Sequence, residues 1–173
     1  MKNVEISLRK EMKERKQINR ISRGYYELVD YNVDEYYKII STSEKAVFSM
    51  NTALYLHNLS DRTPLVFDIT VPYYYGGSLR KNKKVNLYFV KSSILNLGKI
   101  EVISPFGMKI KVYDKERTIC DIVKNKKNMD MEIFSKAIKN YIRSDDKKLN
   151  KLMKYAKELK IENKIREYME VIL

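Results

Sequence analysis

Tryptophan is absent from the 173 residues, and cysteine and histidine occur once each, as Cys120 and His57. A single cysteine excludes a disulfide framework and a cysteine-based zinc site. A single histidine excludes any site that needs two. Glycine occurs five times and proline three times. The glycines never take the spacing of a phosphate-cradling loop, G-x-x-x-x-G-K or G-x-G-x-x-G. Neither a G-x-S-x-G elbow nor a Cys/His pair is arranged for a nucleophile. No apolar run approaches the roughly 20 residues that a membrane helix requires. The first residues are charged and lack the apolar core of a signal peptide. A reducing cytoplasm is therefore the expected compartment, and no membrane partner is expected.

What is present is charge and tyrosine. Lysine and arginine number 35 against 22 acidic residues, for a net charge of +13. Apolar residues at 44% and charged residues at 33% describe a globular chain, not a disordered one. The length is long enough to bury roughly two-thirds of the unfolded surface in one core with a small appendage. Lys, Asn, Ile and Tyr are also what AT-rich codons encode, but compositional drift spreads lysine evenly, and here it is blocked. Residues 1–24 hold eight basic and three acidic residues, whereas 25–75 hold three and seven. Residues 76–128 hold thirteen and four, and 129–173 hold eleven and eight. Two basic blocks around an acidic one suggest a surface organised for a polyanion.

Periodicity organises the chain. Val4, Leu8 and Met12 recur every four residues, which predicts a basic helix over 4–17. Residues 18–29 change to period two around Arg23-Gly24, the signature of a hairpin with glycine at its tip. A helix running into a basic hairpin is the second half of a winged helix-turn-helix, although an ordinary surface hairpin reads the same way. Residues 33–41 and 49–59 read as helices, the second with Ser49 placed to cap it, and 46–48 is a short apolar stretch between them. Strands are predicted at 65–71, 85–91, 99–103 and 108–113, with a turn at 104–107 and a tyrosine-rich loop at 72–84. Asp114 is placed to cap a helix carrying Thr118, Ile119, Ile122 and Val123, and Asp130 to cap a helix at 131–143. Helices at 145–159 and 161–172 follow. The expected fold class is α/β (α+β). A remnant winged helix-turn-helix at 1–30 precedes a mixed-sheet domain at 31–173 with a helical C-terminal third.

The candidate chemistry is about binding. Lys13, Arg15, Lys16, Arg20 and Arg23 surround the first hairpin, with Tyr25 beside them as a hydrogen-bond donor. Arg80, Lys81, Lys83 and Lys84 follow Tyr73, Tyr74 and Tyr75, and aromatics interleaved with cations suit a nucleic acid. Arg117 and Asp121 are four apart and can pair on one helix face, the reading of a structural ion pair. Asp68 and Glu101 are the acids a metal-dependent nuclease would draw on. The lysine such a site needs does not follow Glu101, so Asp68 reads better as a strand residue with a structural hydrogen-bonding role. His57, beside Leu56 and Leu59, reads as packed. No metal, cofactor or catalytic residue is expected.

Five runs together resemble the AbiEi family of bacterial antitoxins of type IV toxin–antitoxin, abortive-infection systems. They are INRISRGYYELVD (18–30), AVFSMNTALYLHNLSDRTP (46–64), FDITVP (67–72), ISPFGMKIKVYDKERTICDIVK (103–124) and YAKELKIENKIREYMEVIL (155–173). They span nearly the whole chain in the family's order. The resemblance implies a winged helix-turn-helix bound to the protein's own promoter DNA. It also implies an α/β domain that counters a nucleotidyltransferase toxin of the AbiEii type in a bacterial cytoplasm. Family members carry about two further helices before the recognition helix. Here 17 residues precede the hairpin, so an abbreviated head is expected. A purely protein-directed binding module and a nuclease are the alternative functions.

Overall fold

The computed structural model describes residues 10–15, 18–22, 25–28 and 34–172; of 19–22, 25–28 and 170–172 it describes the backbone alone. The backbone is helical at 10–14 (α1), inside the span expected to be a helix. Positions 4–9, 16 and 17 of that span lie outside the described residues. β1 (Ile18–Ser22) pairs antiparallel with β2 (Tyr25–Leu28), Ile18 facing Leu28 and Arg20 facing Tyr26. The register slips between Arg20 and Ser22, a bulge that twists the ribbon. The expected hairpin is thus present, with its tip at Arg23-Gly24 outside the described residues.

From Asp34 the chain builds one mixed five-stranded sheet, in the order β5-β4-β3-β7-β6. Its strands are β3 (Val47–Phe48), β4 (Phe67–Pro72), β5 (Val85–Val90), β6 (Lys99–Ile103) and β7 (Lys109–Tyr113). β4 runs parallel to β5 and antiparallel to β3, while β3 runs parallel to β7 and β7 antiparallel to β6. The four strands expected from period two all enter this sheet. The fifth, β3, is the 46–48 stretch, too short for a period to register. Its Val47 and Phe48 are nonetheless fully buried at the centre of the sheet.

The alternation along β4 separates two layers. Phe67, Ile69 and Val71 join Phe48, Ile110 and Val112 in one apolar core, closed by α2 (Glu35–Ile40) through Tyr36, Ile39 and Ile40. Tyr36 meets Phe67 edge to face, with ring centroids 4.9 Å apart. Asp68 and Thr70 point to the other face of the sheet, and both are buried. A second core joins α3 (Met50–Leu56), α5 (Lys115–Lys124), α6 (Met131–Arg143), α7 (Leu149–Glu158) and α8 (Glu162–Ile172). A single short turn, α4 (Ser92–Leu95), connects β5 toward β6.

Local chemistry sets the helix starts. The Asp114 carboxylate accepts the Arg117 N–H at 2.8 Å, and Asp130 accepts from Glu132 and Ile133, so both expected caps are in place. Ser49 differs. It sits at the cap position of α3, but its hydroxyl accepts from the Thr70 hydroxyl at 2.9 Å. The exposed α3 donor at Asn51 is taken instead by Asp68 of β4, at 3.0 Å. A cap from a neighbouring strand is invisible to a rule that inspects the preceding residue. The α7 stripe also needs one correction. Leu152 and Ala156 are buried, but Leu149 in the first turn is 37% exposed.

Ile161 and Ile165 are buried, and Tyr168 meets Phe134 edge to face at 5.3 Å. Each buried aliphatic side chain contributes roughly 1.5–3 kcal/mol. Deleting residues 161–173 is expected to lower the thermal midpoint by about 10 °C or more, at several degrees per kcal/mol for this size. An unchanged midpoint in calorimetry would make α8 an accessory arm.

Candidate nucleic-acid interface and the polar hub behind it

The first basic group straddles α1 and the hairpin. Lys13 is exposed on α1, and Arg15 just after it pairs with Glu11 at 2.6 Å with both side chains in water. Such a surface pair is worth little and leaves the guanidinium accessible. Arg20 lies in β1 and Tyr25 in β2, where the backbone is described. Lys16 and Arg23 lie outside the described residues. The structure therefore brings α1 and a basic two-stranded ribbon close in sequence, and of the side chains describes Lys13 and Arg15.

The second group lies on the loop between β4 and β5. Tyr73 and Tyr74 are 62% and 66% exposed, whereas Tyr75 is buried. The sequence expectation that the three act together thus divides. Tyr75 packs into the sheet core, and its carbonyl accepts the Arg80 Nε–H at 2.7 Å. That bond holds the 3-10 turn Ser78–Lys81 against the sheet and lays the Arg80 guanidinium 5.1 Å above the Phe89 ring. Lys81 and Lys83 are exposed beside it, and Lys84 pairs with Glu35 at 2.8 Å. Lys45 sits 4.8 Å over the Tyr74 ring. The result is a surface of exposed rings set among cations, on the open edge of the sheet formed by β5.

Behind this surface is a polar hub that the sequence shows only in part. Arg117 is completely buried. Its Nε donates to Asp121 at 3.0 Å, and its Nη1 donates to the Ile94 and Leu97 carbonyls, both at 2.8 Å. The guanidinium carbon lies 4.2 Å from the centre of the Tyr113 ring. Burial pushes the Asp121 carboxyl above the usual carboxylate range, and the Arg117 guanidinium opposes that shift. The pairing expected at four-residue spacing is there, but its reach is larger. One side chain ties α5 to the segment that links β5 to β6.

Gly98 makes that reach possible, a residue that carries no signal in the sequence. Its φ is +75°, a conformation natural to glycine,. A Cβ there would lie 2.6 Å from the Arg117 Cβ and 3.1 Å from the Asp114 carboxylate. The Gly98 carbonyl accepts the Asp114 N–H at 2.7 Å. The start of α5 is held from the other side as well. Lys151 of α7 reaches the Asp114 carboxylate at 2.8 Å, the Tyr155 hydroxyl donates to it at 3.1 Å, and Glu116 accepts from Tyr141 and from the Lys148 N–H. Cys120 lies buried in the same helix, and burial pushes its thiol up to about 12. A thiol so protonated is unreactive.

Asp68 is 1% exposed and accepts from the Asn51 N–H at 3.0 Å and the Asn86 amide at 3.1 Å. Its own N–H donates to the Thr52 hydroxyl. Burial raises its carboxyl above the ordinary range, and these donors oppose the shift. Glu101 lies on β6, three strands away across the sheet, roughly 14 Å at ordinary strand spacing. The two acids a nuclease would need are therefore not brought together. His57 is half-buried; its Nε2–H donates to the Tyr113 carbonyl at 2.6 Å, and burial lowers its pKa.

Asp68→Ala is expected to cost about 1–3 kcal/mol in urea unfolding, because it leaves the Asn51 donor buried without an acceptor. A metal-dependent nuclease would instead lose cleavage at unchanged stability. Gly98→Ala is expected to cost more than about 2 kcal/mol, combining the left-handed backbone with a collision against a fixed Cβ. A variant of wild-type stability would show that the segment 94–98 shifts freely away from α5. No family model matches the chain, and no curated protein is significantly similar to it.

Proposed function

We propose that the chain is an antitoxin of the AbiEi kind, which counters a nucleotidyltransferase toxin and represses its own promoter. The observation that carries the reading is the ordered combination of five runs, at 18–30, 46–64, 67–72, 103–124 and 155–173. Each run is weak alone, and it is their order over most of the chain that has weight. Two further features support it. The longest run, 103–124, is the segment that supplies the β6–β7 turn, Tyr113, the Asp114 cap, Arg117 and Asp121. A family-wide resemblance concentrated on an internal hub is what a shared architecture requires. The charge is also unevenly placed, with net +5 over residues 1–24 and net +9 over 76–128, as binding to a polyanion favours.

In this reading residues 1–30 face the promoter. Lys13, Arg15, Lys16, Arg20 and Arg23 contact phosphates, and Tyr25 donates a flanking hydrogen bond. Phosphate contacts supply affinity and position without sequence choice. Residues 31–173 act on the toxin, in the cytoplasm of a bacterium, without catalysis of their own. Direct capture is the simplest mode, since the protein then needs a surface rather than an active site.

The double substitution Arg20→Ala with Arg23→Ala tests the division of labour. Affinity for the promoter is expected to fall, and the salt slope to drop by up to about 2, roughly one for each phosphate no longer neutralised. Rescue of growth from a co-expressed nucleotidyltransferase encoded beside this chain is expected to persist. Unchanged affinity and slope would remove the hairpin from the DNA and leave a purely protein-directed module. Failure of the wild-type chain to rescue growth would overturn the antitoxin reading itself.

A further inference from the structure

A cavity of about 290 Å3 opens beside the aromatic–basic surface, between the sheet and α5. The sheet side is Thr70 of β4 with Tyr88, Phe89 and Val90 of β5, and the helix side is Arg117, Asp121, Lys124 and Asn125. Tyr73 stands at its wall, and Met50 at the opposite end. The Met50 backbone has φ +46°, a conformation that costs a non-glycine residue and persists where the surroundings impose it.

The polar groups in this wall are incompletely used. Arg117 is entirely buried, its Nε and Nη1 are engaged, and its Nη2 is a buried nitrogen with no hydrogen-bond partner. Buried donors of this kind are uncommon enough to need a cause. Asp121 gives Oδ1 to Arg117, and 11% of its side chain stays exposed. A donor and an acceptor therefore stand side by side in one wall. Around them are planar rings at Tyr73, Tyr88 and Phe89, and a cation, Lys124, exposed at the rim. Arg80, stacked on the outer side of the Phe89 ring, brings a second cation near the same rim.

We propose that this cavity binds a single nucleotide, with its base against Tyr88 and Phe89, its polar edge on Arg117 and Asp121, and its phosphate at Lys124. The edge of a nucleobase carries an acceptor next to a donor, the complement of Nη2 and the free carboxylate oxygen. Bases stack on tyrosine and phenylalanine whatever their identity, and the phosphate needs an accessible cation. The volume suits one base and its sugar and excludes a longer stretch of chain. Inorganic phosphate alone would leave the rings and the Asp121 carboxylate without a role. The site does not rest on the antitoxin reading, because it uses neither the hairpin nor a toxin. The same chemistry has two sources, a free mononucleotide or one unpaired nucleotide of a single strand.

Calorimetry on the whole chain separates the outcomes. The probes are AMP, GMP, CMP and UMP, a single-stranded oligoribonucleotide, and inorganic phosphate as control. At least one monophosphate is expected to bind saturably, with Kd on the order of 100 μM, and phosphate at the same concentration is not expected to compete. Lys124→Ala is expected to weaken the monophosphate about tenfold and the matching nucleoside hardly at all. Phe89→Ala, at a partly exposed position, is expected to weaken both. Asp121→Asn is expected to change which base is preferred; should it fail to fold, the other two variants carry the test. Binding of the oligonucleotide alone, weakened by the same substitutions, assigns the site to a strand nucleotide. The proposal is overturned if neither probe binds, if phosphate competes equally, or if Lys124→Ala and Phe89→Ala leave binding unchanged.

Discussion

A guanidinium cannot be taken out of water alone, and the placement of Arg117 governs much of this fold. Removing one partner of a buried ion pair costs about 3–5 kcal/mol, because the other charge is left without compensation. Asp121 is therefore required in the next turn of α5, and two carbonyls must be presented by Ile94 and Leu97. Presenting them at 2.8 Å needs a close passage of the chain, which the backbone of Gly98 allows. The Tyr113 ring covers one face of the guanidinium and sends its own hydroxyl to the Leu95 carbonyl at 2.9 Å. The connection from β5 to β6 is thus fixed by a helix that comes later in the chain.

The same constraint explains why α5 is buried along nearly its whole length. One side meets the sheet connection through Arg117. The other meets α7 through Asp114, Glu116, Lys151 and Tyr155. The apolar residues between, Ile119, Ile122 and Val123, complete the helical core. The polar face of β4 belongs to this arrangement. Asp68 and Thr70 would be costly in an ordinary strand core. Here they cap α3 and bond Ser49.

The elements with a clear period were legible in the sequence, including β6 at 99–103 and α6 at 131–143. So were the Asp114 and Asp130 caps, because capping acts within three residues. Three things were not. β3 has two residues, and no period can be read from two. The Asp68 cap of α3 crosses 17 positions of sequence, so only the folded chain reveals it. The split of Tyr73, Tyr74 and Tyr75 into two exposed rings and one buried ring follows from the Pro72 end of β4, which turns the loop back on the sheet. Of the candidate sites, the cation-rich loops could be recognised by composition. The cavity behind them could not, since Thr70, Tyr88 and Asp121 are ordinary residues until the sheet and α5 meet.

The shortness of β3 also bears on the order in which the protein assembles. Val47 and Phe48 hydrogen-bond to β4, some twenty residues later, and to β7, more than sixty residues later. Two residues gain too little from either neighbour alone to offset the ordering of their backbone. The β4–β5 pair and the β6–β7 hairpin can each form from nearer segments, and the central strand then closes the gap between them. The last loop to close is among the longest in the chain, which places the protein with the slower-folding mixed topologies. During synthesis the sheet cannot be completed until β7 has left the ribosome, so the buried faces of β4 and β5 wait, half-paired, for a strand already made.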